Sequence, residues 1–277
     1  MPELPEVEVT RQGLLPHLLQ RRIVAITWSA KRLRLPIPRK LLHECIQNNL
    51  ITAIDRRAKY LLIRMQDNSA LVFHLGMTGK LGMFPATAPN AVHDHLRLRL
   101  DNDMEMRFND TRRFGSVTVW PAGEALLLEE KFNNSKGVEP FGPDFTAANL
   151  VRLARRRSMP VKTFLMDSRM IAGIGNIYAN ETLFAVGIHP QTGVNTLSEK
   201  QWQDIADSCR QILKRAIAAG GSTISDFLGS SGQPGYFQLQ LAVYGRKDEP
   251  CPECGTKIKK ETFGGRATYF CSTCQPL

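Results

Sequence analysis

The residues after the start methionine, Pro2 and Glu3, carry groups suited to covalent chemistry on a sugar. Methionine aminopeptidase removes Met1 when a small residue follows, so we expect processing to expose the secondary amine of Pro2. An α-amino group titrates near ~7.7–8.0, against about 10.4 for lysine, so more of it is a free nucleophile at neutral pH. Once it attacks C1′ of a sugar, a secondary amine gives an iminium ion that cannot lose a proton from nitrogen. That fixed cation makes the C2′ proton acidic and prepares elimination of a phosphate. The structural alternative is that Pro2 and Pro5 only begin a helix.

Four cysteines towards the other end of the chain have the spacing of metal ligands. Cys251 with Cys254 and Cys271 with Cys274 form two Cys-x2-Cys pairs with sixteen residues between them, within the roughly 15–20 expected of a four-cysteine zinc site. The residues between the pairs predict a β-hairpin with a glycine turn. Four thiolates leave no open coordination position, so we expect one structural zinc ion. Two disulfides in a secreted protein are the less favoured interpretation.

The chain is strongly basic. Its 277 residues include 36 Lys and Arg against 26 Asp and Glu, giving a net charge of +10. Such an excess favours a polyanionic partner. No apolar signal segment opens the sequence, no long apolar run follows, and no basic amphipathic helix has an aromatic face. We therefore expect a cytoplasmic protein that does not associate with membranes.

The order of helical and strand patterns predicts an α+β protein with several domains. A helix is predicted from Leu4 to Leu18, and short alternating apolar runs from Ile23 to about Trp120 indicate an antiparallel β-sandwich or barrel. Further helices are predicted at Ala147–Arg157, Pro160–Asp167, Asn176–Val186 and Ser198–Ala219. The predicted domains are a catalytic β-sandwich at 1–132, a linker at 133–146, a helical domain at 147–240 and a zinc hairpin at 241–277.

Three segments of the helical region are suited to binding an anion. The turn from Gly173 to Asn176 allows close backbone approach, and the helix after it offers free N–H groups, although it is also an ordinary turn between helices. Asn176 either adds an amide donor or caps that helix. Arg155–Arg157 and Lys162 form a basic stretch whose default interpretation is a solvated face. The Gly/Ser-rich loop at 219–235 either orders over a ligand or is a spacer.

Six motifs occur in order along the whole chain: Pro2-Glu3-Leu4-Pro5-Glu6-Val7-Glu8, Arg56-Arg57-Ala58-Lys59-Tyr60, His74-Leu75-Gly76-Met77-Thr78-Gly79, Asp110-Thr111-Arg112-Arg113-Phe114-Gly115, Gly173-Ile174-Gly175-Asn176-Ile177-Tyr178 and the cysteine hairpin. Together they resemble the bacterial formamidopyrimidine-DNA glycosylase family. The resemblance implies an N-terminal helix with an antiparallel β-sandwich, a helix–two-turns–helix domain and a C-terminal zinc β-hairpin.

The resemblance also implies roles for residues near the N-terminus. Pro2 is similar to the nucleophile that displaces the damaged base at C1′, and Glu3 to the general acid/base that protonates the ring oxygen. Lys59 is similar to an active-site lysine near the lesion and its phosphate, and Glu6 to a supporting carboxylate. From the residues alone, Lys59 would be a surface lysine at the start of a strand, and Glu6 would serve the helix dipole.

A second group of residues resembles the part of the family that reads DNA. An enzyme that acts on a base in a duplex must extrude the nucleotide, which leaves a hole in the stack. Met77 and Phe114 are similar to the residues that fill this hole, and Arg112 to the one that pairs with the orphaned base. The alternative puts Met77 and Phe114 in the core, but the glycines beside them favour exposed loop tips.

The remaining expected DNA contacts are polar. Asn176 and Arg266 resemble phosphate clamps, since an arginine fork binds two phosphate oxygens at once. His74, His93 and Lys162 complete the set, although a hydrogen-bonded histidine near a strand end is a fair alternative for His74. A metal site at His93 and His95 is rejected, because the two residues share a strand face and no third ligand is evident.

We therefore expect a monomer that binds damaged double-stranded DNA, excises oxidised purines such as 8-oxoguanine and formamidopyrimidines, and cleaves the abasic site by β,δ-elimination. A sister activity on oxidised pyrimidines is the first alternative, although that branch of the superfamily typically has glycine where Leu4 stands. A non-catalytic zinc-ribbon protein that binds DNA, and an N-terminal-proline tautomerase, are further alternatives. Thr78 occupies a position where some family members carry a carboxylate, so we assign it no role in base recognition.

Overall fold

The structure, a computed structural model, describes residues 2–220 and 241–277. They form two compact units, one of residues 2–134 with 219–220 and the other of residues 135–218 with 241–277. The Gly/Ser-rich loop expected over the lesion lies outside the described residues from 221 onward.

The first unit opens with helix α1 (Leu4–Leu18), whose bounds match the prediction from sequence. Proline at the start of a helix costs no hydrogen bond, because the first N–H groups have no partner within the helix. Leu4, Val7, Leu14 and Leu18 are fully buried, since spacings near multiples of 3.6 residues put them on one face. This face fixes α1, and with it the N-terminal residues, against the rest of the unit.

Eight strands follow: β1 (Ile23–Trp28), β2 (Ile51–Arg57), β3 (Tyr60–Met65), β4 (Ala70–His74), β5 (Gly79–Pro85), β6 (Asp94–Leu100), β7 (Met104–Asp110) and β8 (Ser116–Trp120). They form two antiparallel four-stranded sheets, in the orders β1-β6-β7-β5 and β2-β3-β4-β8. Apolar side chains from both sheets and from α1 share one core. The predicted antiparallel sandwich is thus confirmed.

Two short elements complete this unit. A helical segment, α2 (Arg39–Leu41), continues into a π-helical turn at Leu42–Ile46. Helix α3 (Ala125–Asn134) packs Leu128 and Phe132 on the outer face of the second sheet, against Leu62 and Val72. Strand β3 is therefore covered on both faces, which explains its nearly continuous apolar sequence. The sequence patterns gave no sign of α3, which extends two residues past the start of the predicted linker.

The second unit is built on four helices: α4 (Ala147–Ala154), α5 (Val161–Met166), α6 (Asn176–Ala185) and α7 (Glu199–Ala218). All four helices predicted from sequence are present, with ends that differ by a few residues. Helix α6 is central, with every residue from Tyr178 to Phe184 buried. Helix α7 packs one apolar face on α4 and α6 and exposes its charged face.

The chain ends in a hairpin of β9 (Lys259–Phe263) and β10 (Arg266–Phe270). The turn consists of Gly264 and Gly265, with φ of +55° and +73°. Only glycine adopts two such values readily, and they match the twist of a two-residue hairpin. The buried carboxylate of Glu181 on α6 accepts hydrogen bonds from three successive N–H groups of residues 242–244, at 2.7–3.0 Å. These bonds fasten the segment before the hairpin to the central helix.

In the two described stretches of the chain, no helix combines the length and apolar character needed to cross a membrane.

Candidate active site and nucleic-acid interface

The N-terminal end of α1 holds the expected catalytic residues Pro2 and Glu3. Glu3 occupies the N-cap position, and its side chain is almost completely buried. Its backbone N–H donates to Oε2 of Glu6 at 2.8 Å, and its carboxylate accepts from the N–H of Glu6 in return. This capping box fixes the Glu3 carboxylate one residue from the Pro2 nitrogen. Glu6 thus has a structural partner, as the helix-start interpretation expected.

Lys59 lies in the two-residue turn between β2 and β3, beside Ala58. Ala58 is buried and has a φ of +55°, a left-handed conformation that strains a residue with a Cβ atom. Arg56 donates from Nη1 to the Ala58 carbonyl at 3.1 Å and from Nε to Glu8 on α1 at 3.1 Å. The turn that carries Lys59 is therefore connected to the helix that begins beside Pro2 and Glu3.

Two adjacent loops carry Met77, Arg112 and Phe114. Met77 and Phe114 are 38% and 45% exposed, so they lie at the surface and outside the sandwich core, as the neighbouring glycines predicted. The Arg112 guanidinium carbon lies 4.7 Å from the Phe114 ring centroid, within the range of a cation–π contact. Exposed large apolar side chains beside an arginine form the kind of wedge that enters a base stack.

The buried carboxylate of Asp110, at the end of β7, fastens both loops. Its Oδ1 accepts from the Thr78 hydroxyl at 2.5 Å, and its Oδ2 accepts from the N–H of Gly115 at 2.8 Å. Asp110 belongs to one of the six sequence motifs, but its role does not follow from that motif. Its position between an apolar strand and a turn was the only signal available.

The histidines at 74, 93 and 95 have different surroundings. His74 ends β4, and its Nδ1 accepts a hydrogen bond from the N–H of Gly76 at 3.1 Å. His95 is buried between the Ser29 hydroxyl, 2.9 Å from Nδ1, and the Asp110 carbonyl, 3.0 Å from Nε2. Burial lowers the pKa of His95 below its ordinary value, so the ring is neutral at pH 7. His93 precedes β6 and is half-exposed.

The second unit brings Asn176, Lys162 and the hairpin together. Asn176 is the first residue of α6, and its Nδ2 donates to the Ala267 carbonyl at 2.9 Å. The N-cap residue is Gly175, so the side chain of Asn176 does not cap the helix. Its Oδ1 is buried and has no hydrogen-bond partner among the described residues. Arg266 is exposed at the start of β10, one residue from the Ala267 carbonyl that Asn176 holds.

Lys162 differs from the expectation of a solvated basic face. It is 3% exposed, and its ammonium donates to the Ala267 carbonyl at 3.0 Å and to the Thr268 hydroxyl at 2.7 Å. Burial of an ammonium group is costly unless it is hydrogen-bonded, and these two bonds meet that need. Lys162 supports the strand that carries Arg266. Arg155, Arg156 and Arg157 are exposed, as the solvated interpretation predicted.

The four predicted zinc ligands converge. The Sγ atoms of Cys251, Cys254, Cys271 and Cys274 all lie within 4.8 Å of one another. The separations are 3.5 Å for Cys254 and Cys271 and 3.8 Å for Cys251 and Cys274. Tetrahedral Zn–S bonds of about 2.3 Å place the sulfur atoms about 3.8 Å apart, so the cluster has the size of a zinc site. Within residues 2–220 and 241–277, no other group of three or more His, Cys, Asp or Glu residues is arranged to hold a metal ion.

The fold and these sites define a protein with an N-terminal β-sandwich, a helical module and a zinc finger. The model of the formamidopyrimidine-DNA glycosylase N-terminal domain matches residues 1–117. The family's H2TH domain matches residues 136–228, and the zinc finger found in FPG and IleRS matches residues 248–277.

Known proteins resemble the chain over its whole length. Formamidopyrimidine-DNA glycosylase from Geotalea uraniireducens is 46% identical over 279 residues, covering 99% of this chain and 100% of the relative. The enzyme of the same name from Stenotrophomonas maltophilia is 46% identical with the same coverage. Two solved structures match the chain over its full length, and each match covers 100% of both chains. Lactococcus lactis Fpg (MutM) in complex with DNA containing an oxidised pyrimidine has a TM-score of 0.88 and 33% identity. MutM in complex with DNA containing carbocyclic 8-oxo-G has a TM-score of 0.89 and 34% identity.

The chain belongs to the formamidopyrimidine-DNA glycosylase family. It is a DNA repair glycosylase, and its four cysteines form a zinc finger that holds one structural zinc ion.

Proposed function

We propose that this enzyme excises oxidised purines, such as 8-oxoguanine and formamidopyrimidines, from double-stranded DNA through a covalent intermediate on Pro2. The observation that carries the proposal is the capping box at the start of α1, which fixes the buried carboxylate of Glu3, the residue next to Pro2 in sequence. Removal of Met1 frees that nitrogen as a secondary amine. A general acid and a nucleophile then occupy adjacent positions on one rigid element.

In the proposed first step, the Pro2 nitrogen forms a bond to C1′, and the damaged base leaves with the electrons of the glycosidic bond and takes up the proton that the Pro2 nitrogen loses. Glu3 donates a proton to the ring oxygen, which opens the sugar and leaves an iminium ion between Pro2 and C1′. The Glu3 carboxylate then accepts the C2′ proton, and the electrons of the C2′–H bond form a C2′–C3′ double bond and expel the 3′ phosphate. A second elimination expels the 5′ phosphate, and water hydrolyses the iminium to regenerate the Pro2 amine.

Lys59 is proposed to hold a phosphate near the lesion, on the turn connected to α1 through Arg56 and Glu8. Met77 and Phe114 are proposed to fill the space left by the extruded nucleotide, and Arg112 to pair with the orphaned base. Their exposure and the cation–π contact within the group support these roles.

Phosphate contacts are proposed for His74, His93, Asn176 and Arg266, since the net charge of +10 suits binding along a DNA backbone. For Lys162 we propose an indirect role. Its ammonium is already hydrogen-bonded to Ala267 and Thr268, so it positions Arg266 rather than a phosphate. The zinc ion takes no part in a chemical step, because all its ligands are thiolates.

We also propose that the enzyme acts as a monomer in the bacterial cytoplasm, with domains at 1–132, 147–240 and 241–277 and a linker at 133–146. Light scattering of the free protein tests the monomer. A dimer that persists at nanomolar concentration would exclude it.

The experiment that tests the function is single-turnover excision from a duplex with 8-oxoguanine opposite cytosine, for the wild type and for Glu3→Gln. The amide keeps the size of the carboxylate and cannot supply its proton. We expect base release to slow by at least about 100-fold, the lower end of general acid–base contributions. Cleavage of a preformed abasic site should be less affected, because its sugar already opens to an aldehyde. Base release by Glu3→Gln at the wild-type rate would refute the assignment.

One observation favours a second substrate class. The structure of the Lactococcus lactis relative contains DNA with an oxidised pyrimidine. A parallel assay with an oxidised pyrimidine in the same duplex compares this substrate class with oxidised purines. The higher kcat/KM identifies the principal substrate.

A further inference from the structure

The structure assigns a positioning role to Thr78, whose hydroxyl joins the two DNA-reading loops into one unit. The first loop is residues 75–78 and carries Met77, and the second is residues 111–115 and carries Arg112 and Phe114. The inference rests on the proposed function, in which these three side chains enter the duplex. It concerns how their mutual geometry is set.

The Thr78 hydroxyl makes two hydrogen bonds, one to each side. It donates to Oδ1 of the buried Asp110 carboxylate at 2.5 Å, and it accepts from the backbone N–H of Arg112 at 3.0 Å. A hydroxyl has one proton, so the bond to Asp110 fixes its orientation and directs a lone pair towards Arg112. The bond to Asp110 is at the short end of the range for O–H···O hydrogen bonds.

Two N–H groups of the second loop, at its middle and at its end, donate to the same aspartate. Oδ2 of Asp110 accepts from the N–H of Gly115, and the Asp110 carbonyl accepts from the N–H of Arg113 at 3.3 Å. Arg113 has a left-handed φ of +58°. One residue before Arg113, the N–H of Arg112 donates to the Thr78 hydroxyl instead. Thr78 is thus the contact through which the first loop sets the position of the arginine.

The loops also touch directly through their backbones. Gly76 has a φ of +66°, and a Cβ atom there would lie 2.4 Å from the carbonyl carbon of Phe114. This contact sets the distance between the loops, and the Thr78 hydroxyl fixes the position of Arg112 relative to the first loop. The carbonyl of Asp110 is itself held by the neutral ring of His95.

The Thr78 hydroxyl donates its one proton to Asp110, so it does not donate to the damaged base. The expected effect of its loss is therefore on the partner base that Arg112 reads. This differs from direct base recognition, which the carboxylate of some family members at this position would suggest.

The test compares Thr78→Val with Thr78→Ser. Valine keeps the shape and removes the hydroxyl, whereas serine keeps the hydroxyl and removes a methyl group. We expect Thr78→Val to lower the ratio of kcat/KM for 8-oxoguanine opposite cytosine over adenine by about tenfold, the factor carried by one typical hydrogen bond. Thr78→Ser should keep the wild-type ratio. Cleavage of a preformed abasic site in single-stranded DNA should be unchanged in both, since it has no partner base.

An unchanged ratio in Thr78→Val would overturn the inference. So would an equal loss in both variants, or a change in lesion choice without a change in the partner-base ratio. Hydrogen exchange of the peptide containing residues 111–115 supplies a measurement on the free protein, and this exchange should be faster in Thr78→Val alone. If the wild type did not excise 8-oxoguanine, the proposed function would fail, while the exchange experiment would still test the bridge.

Discussion

Replacing Arg56 with methionine should cost both stability and catalytic rate, because Arg56 connects α1 to the turn that carries Lys59. Its side chain is only 10% exposed, and that of its partner Glu8 only 14%. The Nε atom donates to Glu8 and the Nη1 atom donates to the Ala58 carbonyl, both at 3.1 Å. Methionine retains most of the apolar volume and removes both bonds.

The expected loss of stability depends on which hydrogen bonds the partners of Arg56 keep in the variant. A hydrogen bond to a charged group contributes about 1.5–3 kcal/mol, and one to a backbone carbonyl about 1 kcal/mol. Glu8 keeps its bonds to Arg11 and Gln12, so the variant does not leave a bare buried charge. We therefore expect a loss of about 2.5–4 kcal/mol in the free energy of unfolding, the sum of the two bonds. The rate should fall further, since a displacement of about 1 Å at a catalytic group costs up to about 100-fold.

The pH dependence of this loss has a defined sign. Burial alone would raise the pKa of Glu8, but its hydrogen bonds to Arg11 and Gln12, with the charges of Arg11 and Arg56, lower the pKa below its ordinary value. A carboxylate with a lowered pKa in the folded state stabilises the protein above about pH 4.3, and this contribution disappears as the pH falls through the folded-state pKa. The difference in stability between the wild type and Arg56→Met should therefore shrink in acid.

Urea unfolding and single-turnover excision measure the two effects, and Arg64→Met is the matched control. Arg64 lies on the neighbouring strand and pairs with Glu129 and Asp55, with no hydrogen bond to the Lys59 turn among those of the described residues. Both variants should lose stability, and only Arg56→Met should lose rate, with DNA affinity retained. Equal single-turnover rates in the two variants would refute the positioning argument.

Two further predictions concern DNA binding. Arg266→Ala should weaken binding to every duplex. It should also reduce the slope of log K against log salt concentration by about 0.9, the value for one phosphate contact. Arg112→Ala should leave that slope unchanged and reduce the discrimination between partner bases. Salt titrations of binding check this, and a change in lesion choice with an intact slope in Arg266→Ala would exclude the phosphate role. Chelation of the zinc ion should weaken binding at least as much as Arg266→Ala, because folding of a small zinc module depends on its metal. Zinc release followed in parallel with DNA affinity tests this, and full affinity after release would contradict it.

Much of the fold followed from sequence because its signals are local. The bounds of α1 follow from apolar spacing and early prolines, and the zinc ligands follow from cysteine spacing alone. The exposure of Met77 and Phe114 followed from neighbouring glycines.

Other features depend on contacts between distant residues, which local patterns do not report. Helix α3 was missed because only its packing on the second sheet stabilises its apolar face. Lys162 was expected at the surface, as a DNA contact or as part of a solvated face. Nothing near it in sequence indicates the hairpin strand, more than a hundred residues away, that buries it. The roles of Asp110 and Thr78 required the register that brings β5 beside β7.

The central claim is that Pro2 is the nucleophile. The most direct measurement is borohydride trapping on a duplex with 8-oxoguanine opposite cytosine, with intact-mass analysis of the protein before and after reaction. We expect protein without Met1 and a reduced covalent adduct that maps to Pro2. An adduct on Lys59, or efficient excision with no trapped adduct from protein that lacks Met1, would contradict the mechanism.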